Sequence, residues 1–417
     1  MIMVNRSKFH SKCSIITLAF ILFISSPAFT QTSSAPVITT KDTTVQLVKF
    51  KSGQVKLEQL AKLSEPWGMT FLPDGRLLVT EKPGRLRIYS AGKLSEPITG
   101  IPKVEYYEQG GLMDVEIDPA FASNNLVYIY YVERAEPQPP NAKNPKEPRF
   151  GQFSDTTDIV VKGGAVARGR LEGNSLRDVK VIWRQEPKMT GRGHFGGRLV
   201  FAPDGKLFIT SGDRMYFDPA QNPGGNLGKI VRINPDGTIP NDNPFVNKSG
   251  TKADIWSMGH RNPLGAAINP VSKQLWMNEM GPAHGDELNI PEAGKNYGWP
   301  VVSNGSNYDG SDIPDHPTKP QFTTPLFYWY PAISPSGMIF YTGNLFGNWR
   351  NNILIGGMSV EQIVKLSLDS TSRKVQSEER IPIGKRVRDL IQAPDGSIWL
   401  ITDYKDGELL RMTPAGK

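Results

Sequence analysis

Cysteine is almost missing from this chain: Cys13 is the only one in 417 residues. It falls inside an N-terminal stretch that reads as a secretion signal, so the mature chain offers no disulfide, thiolate metal site or cysteine nucleophile. Histidine is nearly as scarce, and of the five present only His194, His260, His284 and His316 lie beyond that stretch. No His-Glu-x-x-His pair occurs among them, which disfavours zinc-protease chemistry. A Gly-x-Ser-x-Gly elbow and a phosphate-cradling loop are also absent, so hydrolase and nucleotide readings lose their usual support. Long apolar runs reduce to one, Ile15 to Ile24, too short to span a bilayer comfortably.

That run follows Arg6, Lys8 and Lys12 and precedes the small residues Ser26, Ala28 and Thr30. This is the layout of a secretory signal over residues 1–30, with an uncleaved anchor as the competing reading. Cleavage would remove three basic residues and no acidic one, lowering the formal charge from +7 to +4. So small an excess calls for no nucleic acid. The expected location is periplasmic or secreted, with no stable membrane insertion once the signal is gone. Residues 31–50 read as a tether or first strand, and residues 51–417 as a single domain.

What the chain does have is turn residues, Gly 41 and Pro 34, spread along its length. Leu72-Pro73-Asp74-Gly75 opens a unit ending at Thr80, and the unit returns at Ala202-Pro203-Asp204-Gly205 and Ala393-Pro394-Asp395-Gly396. Degenerate copies begin at Asp118-Pro119 and Asn269-Pro270. Proline fixes φ and glycine accepts positive φ, so each unit reads as a tight turn leading into a β-branched and aromatic strand. Hairpins recurring through a long chain with few runs of helical period point to an all-β fold, a β-propeller, with a β-sandwich or paired barrels as the alternative. A Pro-rich segment between Glu133 and Val160 cannot pack as a central strand and reads as a surface excursion.

The polar residues concentrate in loops. Gly191-Arg192-Gly193-His194-Phe195-Gly196-Gly197-Arg198 sets one imidazole among glycines. Its spacing matches a dinucleotide fingerprint, but that motif must follow a strand and open a helix, and here a strand-like run follows. A glycine-rich turn with an incidental histidine stays open on spacing alone. Gly259-His260-Arg261-Asn262-Pro263 places two donors before a proline. Asn278 to Glu287 follows another strand, and there Gly281, Pro282, Asp286, Glu287 and the later Tyr297 offer hard oxygen donors of the kind that suit calcium rather than zinc. A merely solvated acidic loop is the competing reading. Arg386 and Arg388 flank Val387, so in a strand both guanidinium groups would share a face suited to carboxylates. Tyr328, Trp329 and Tyr330 could stack on a sugar ring, although a buried aromatic strand is the plainer expectation.

These motifs, with Lys295-Asn296-Tyr297-Gly298-Trp299-Pro300 and Arg386-Val387-Arg388-Asp389, occur in an order that resembles the soluble PQQ-dependent glucose and aldose sugar dehydrogenases, from about Leu60 to Pro414. The resemblance implies a propeller of six four-stranded antiparallel blades with the quinone over its mouth. It implies that aldoses are oxidised at the anomeric carbon to the lactone, with hydride passing to PQQ and His194 acting as general base. Gln109, Arg261, Asn262, Tyr308, Arg386 and Arg388 would contact PQQ, and Gly357, Met358 and Ser359 would line its site. Relatives often carry a lysine where this chain has Gly357-Met358-Ser359, so one cofactor contact departs from the family pattern. Calcium is implied twice, at the carbonyls of Gly281 and Pro282 beside PQQ and at Glu287 and Tyr297 as a structural ion. The glycines around His194 would then clear room for a flat quinone and a sugar. An external electron acceptor must reoxidise the quinol, and the protein would be a monomer or homodimer. The alternatives are a calcium-dependent propeller lactonase and a non-catalytic propeller that binds glycan or protein.

Overall fold

The computed structural model describes residues 37–40, 43–369, 371 and 373–416. The expected signal over residues 1–30, with Cys13, and the start of the expected tether lie outside the described residues.

Six antiparallel sheets follow one another along the chain. Blade one comprises Pro66–Phe71, Leu77–Glu81, Arg85–Ser90 and Lys93–Leu94, and blade two Leu112–Ile117, Leu126–Arg134, Lys162–Glu172 and Ser175–Arg184. Blade three holds Gly196–Phe201, Leu207–Ser211, Lys229–Ile233 and Ile255–Met258, and blade four Pro263–Ile268, Leu275–Glu279, Asp286–Asn289 and Phe327–Trp329. Blade five is Pro335–Phe340, Ile353–Gly357, Gln362–Leu368 and Val375–Pro382. Blade six takes Val387–Gln392, Ile398–Thr402 and Asp406–Pro414 from the C-terminal end and Gly53–Ser64 from the N-terminal end. The first strand of each blade packs against the first strands of its two neighbours, and the ring closes from blade six to blade one. The architecture is a six-bladed β-propeller.

Closure is an exchange between the two ends of the chain: Gly53–Ser64 pairs antiparallel with Asp406–Pro414, from Ser64 opposite Asp406 to Val55 opposite Pro414. A ring closed in this way leaves few edges open to pairing. Blade six departs from the expected four strands, because Thr43–Phe50 and Val37–Thr40 continue its sheet outward.

The Pro-Asp-Gly repeats all join a first strand to a second. In each, the residue before proline donates its amide to a carbonyl four positions on, Leu72 to Arg76 at 2.7 Å, Ala202 to Lys206 at 2.8 Å and Ala393 to Ser397 at 2.8 Å. The aspartate accepts from the amide two residues on, at 2.9 to 3.1 Å. These turns lie at the end of the ring away from the mouth, so each first strand starts at the mouth and each second strand returns to it. Every first strand also carries a register shift near its mouth end, as between Gly196 and Leu199 or Val387 and Asp389. A bulge bends the strand and re-aims its side chains, and here all six sit beside the site. Apolar clusters fill the spaces between neighbouring blades, as where Trp276 and Leu288 of blade four meet Met338, Ile353 and Val364 of blade five.

Candidate active site

A cavity of about 320 Å³ opens among the mouth ends of the blades, and its lining includes Gln109, Asn262, Met358, Arg386 and Arg388. Residues more than 270 positions apart in sequence therefore share one wall. Arg386 immediately precedes its strand, and Arg388 is the extra residue of the bulge between Val387 and Asp389. The bulge, more than simple strand alternation, brings both guanidinium groups to Asp403, at 2.7 Å from Arg386 Nη2 and 2.8 Å from Arg388 Nε. Burial works against ionisation of Asp403, but the two arginines prevail and hold its carboxyl down at about 2.

His194 lies beside this cavity, in the loop entering the first strand of blade three. Its backbone amide donates to Gln109 Oε1 at 2.9 Å. Its Nδ1 lies 2.6 Å from Asp213 Oδ1, and the other oxygen of Asp213 accepts from Trp299 Nε1 at 2.7 Å. A carboxylate on Nδ1 favours the proton there, which leaves the Nε2 lone pair free. Burial pulls the imidazole below its ordinary value, helped by the Arg261 cation and opposed by Asp213. The Asp213 carboxyl is held below its usual range: burial raises it, and His194, Arg261 and the Met215 amide outweigh that.

The glycines around His194 do not clear an open space. A Cβ on Gly193 would come within 2.4 Å of Met215 Cε, and one on Gly196, whose φ is +70°, within 2.6 Å of the Thr210 carbonyl. They let backbone and neighbours close tightly on the loop. The excursion after Glu133 is also more than a surface loop: its short 3-10 turn, Pro148–Phe153, buries Phe150 with its ring 5.8 Å from that of His194 and 5.6 Å from that of Tyr308.

Arg261 and Asn262 close the loop before blade four. Arg261 Nη1 donates to the Gly281 carbonyl at 2.6 Å, its amide donates to Glu279 Oε2 at 2.6 Å, and its Nε is buried without a hydrogen-bond partner. Asn262 Oδ1 accepts from the Gly196 amide at 3.3 Å, joining it to the His194 loop. Tyr308, 40 % exposed, sets its ring 5.9 Å from the Arg261 guanidinium. Gly357 and Met358 are buried, whereas Ser359 sits on the exposed turn beyond them and does not line the cavity. Of the aromatic trio at the end of the last strand of blade four, Trp329 is buried, and Tyr328 and Tyr330, the latter just past the strand, are more than half exposed, at 51 % and 57 %.

The expected calcium donors lie around a small cavity lined by Gly281, Pro282, Glu287 and Tyr297, together with Glu279. Glu279 accepts from the Arg261 amide, lies 3.0 Å from His260 Nδ1 and accepts from Asn289 Nδ2 at 3.1 Å. Glu287 meets His316 Nε2 at 3.3 Å and Asn289 Nδ2 at 3.0 Å, and burial pushes its carboxyl up. Asp286 is spent on the amides of Gly281, Ile333 and Ser334, at 2.7 to 2.9 Å. The Tyr297 hydroxyl bonds to the Ile290 carbonyl, and its ring stacks on His260. Among the described residues, no group of three or more His, Cys, Asp and Glu side chains is arranged to hold a metal.

The family profile for glucose/sorbosone dehydrogenase matches residues 63–411. The chain belongs to that family. Aldose sugar dehydrogenase YliI of Escherichia coli is 40 % identical over 361 residues, covering 85 % of this chain and 91 % of the relative. Quinoprotein glucose dehydrogenase B of Acinetobacter calcoaceticus is 26 % identical, covering 86 % and 87 %. The apo-form crystal structure of the soluble E. coli aldose sugar dehydrogenase superposes with a TM-score of 0.77 at 38 % identity, over 87 % of this chain and all of that one. This dehydrogenase is therefore an enzyme of the quinoprotein dehydrogenase class. Sequence reading passed over Asp213, Asp403 and Phe150 in it. The two aspartates follow the second strands that the Pro-Asp-Gly units lead into, ten residues after Pro203 and nine after Pro394, and that repeat position was the available signal.

Proposed function

We propose that this dehydrogenase oxidises the anomeric carbon of aldose sugars to the lactone, with PQQ bound in the mouth cavity and His194 as general base. The observation that carries the reading is the pairing of His194 with Asp213 beside a cavity walled by Gln109, Asn262, Arg386 and Arg388. The cavity fits the cofactor chemically: PQQ bears three carboxylates, and two arginines sharing one aspartate keep N–H donors for further anions. When bound, the quinone supplies the hydride acceptor, and calcium beside it would act as a Lewis acid.

The work of the chain's own residues follows from their placement. Asp213 fixes the His194 ring and holds a proton on Nδ1, so Nε2 is the atom that takes the anomeric hydroxyl proton. The depressed pKa keeps the imidazole neutral, and so able to accept, at pH 7. Once protonated, the imidazolium is stabilised by the same carboxylate. Phe150 and Tyr308 shield that side of the site from water, which strengthens these electrostatic contacts.

Calcium is part of the proposal. Support for a structural ion comes from two buried glutamates, Glu279 and Glu287, facing the same amide, and from the buried Asn289 Oδ1, which has no hydrogen-bond partner. The Gly281 carbonyl accepts from Arg261, so an ion there would share that oxygen's second lone pair. The exported location, resting on the sequence of residues 1–30, and the external electron acceptor, resting on the redox balance of the reaction, complete the proposal. The test is reconstitution: the protein is titrated with PQQ and calcium chloride while absorbance is followed, then assayed for dye reduction across a panel of aldoses. Quinone binding with aldose-dependent dye reduction is expected. A protein that binds no PQQ, or binds it and reduces no dye with any aldose, would overturn the reading.

A further inference from the structure

Lys82 directly follows the second strand of blade one, Leu77–Glu81, and lines the mouth cavity together with Gln109, Arg386 and Arg388. Nothing in the motif pattern singles it out. Its position is nevertheless that of a site residue: it stands nine residues after Pro73, as Asp403 stands nine after Pro394, and Asp213 follows the corresponding strand of blade three, Leu207–Ser211, by two residues. Three repeats thus deliver a charged side chain, within two residues past the second strand, to the mouth end of the ring. Two of those residues are already engaged, Asp213 with His194 and Asp403 with the paired arginines.

The Lys82 ammonium is held without being saturated. It donates to the Glu108 carbonyl at 2.7 Å and lies 3.2 Å from Glu65 Oε2, with its side chain 15 % exposed. An ammonium has three N–H donors, so one remains for a ligand in the cavity. Blade one adjoins blade six across the ring closure, which sets this donor on the wall next to Arg386 and Arg388. Meanwhile Ser359 is turned out on an exposed loop and brings no charge to the rim.

We propose that Lys82 is a cofactor-binding residue whose ammonium pairs with a carboxylate of PQQ, extending the Arg386–Arg388 anion site onto blade one. The inference rests on the PQQ reading of the cavity. Its test measures binding alone: PQQ is titrated into wild-type, Lys82→Met and Lys82→Gln proteins while tryptophan fluorescence is followed, Trp67 being on the cavity wall. Thermal melts without PQQ identify which variants fold. The folded neutral variants are expected to bind PQQ about tenfold to a hundredfold more weakly than wild type, the loss typical of one charge-assisted hydrogen bond, and Lys82→Arg within about fivefold, since it keeps the charge. Wild-type affinity in a folded Lys82→Met or Lys82→Gln protein overturns the assignment of Lys82 and leaves the PQQ reading standing. A wild-type protein that binds no PQQ overturns the PQQ reading itself.

Discussion

Two clusters of arginine and aspartate involve the first strands of this propeller, and they are built in inverse proportion. In one, the single guanidinium of Arg198 lies between two carboxylates, 2.9 Å from Asp114 Oδ1 and 3.1 Å from both oxygens of Asp389. In the other, the single carboxylate of Asp403 lies between Arg386 and Arg388. The first is sealed. Arg198 in blade three draws in Asp114 of blade two and Asp389 of blade six, and it donates to the Leu264 carbonyl of blade four. Asp389 also accepts from the Met69 amide of blade one, and Gly337 of blade five leaves the room that a Cβ, 2.0 Å from Asp389 Oδ1, would take. All six blades meet around it. The second cluster faces the mouth cavity, with Arg386 38 % exposed.

The difference shows in protonation. Burial pushes Asp114 up to about 7, because one arginine must serve two buried acids. Asp403 is drawn down to about 2, because two arginines serve one acid. The closed structural tie thus has acid in excess, whereas the cluster at the mouth cavity has guanidinium in excess. The same residue types tie the blades together in one place and, in the proposed function, bind an anion in the other, and their ratio and exposure tell the two apart.

The sharpest way to break this comparison is to remove one arginine from each cluster. Arg198→Met strands two buried carboxylates and is expected to cost about 3–5 kcal/mol of stability in urea unfolding. Arg388→Met leaves Asp403 with Arg386 and is expected to cost about 1 kcal/mol or less, while weakening PQQ binding about tenfold to a hundredfold by the same fluorescence titration. Equal losses of stability in the two variants would erase the distinction.

Asp403→Asn comes next. The depressed pKa means that the carboxylate's contribution is complete above the unfolded value near 4 and fades as pH falls toward 2. The variant should be about 2 kcal/mol less stable than wild type at pH 7, with the gap closing between pH 4 and pH 2. Asp114 has the opposite sign. Its raised pKa gives a contribution that is full below pH 4 and is lost as pH rises through 7, so Asp114→Asn should flatten the fall of melting temperature between pH 4 and pH 7. A melt series in matched buffers reads this effect.

Much of the propeller is legible in the sequence, because turn chemistry is local: Pro73-Asp74-Gly75, Pro203-Asp204-Gly205 and Pro394-Asp395-Gly396 announce hairpins through φ and an aspartate that bonds its own loop. The two strands added to blade six were not legible, since nothing in Thr43–Phe50 names its partner. Within the candidate site, His194, Arg261, Asn262, Arg386 and Arg388 stood out as polar residues set among glycines and prolines. Asp213 and Asp403 did not, since their place after the repeat names no partner, and only the fold sets one 2.6 Å from an imidazole and the other between two guanidinium groups. The glycines misled in a physical way. Their small size reads as room for a ligand, yet the neighbours Met215 and Thr210 take up that room. Phe150 was hidden by its setting, in a Pro-rich excursion whose composition speaks of surface and whose one buried ring covers His194.

The proposed reaction turns on His194 as the base beside a quinone. The most direct measurement is made on PQQ-reconstituted His194→Ala, with cofactor affinity and aldose-dependent dye reduction read on the same preparation. PQQ affinity within about threefold of wild type and a fall in turnover of about 10² to 10⁴ are predicted. Wild-type turnover in the variant would contradict the account.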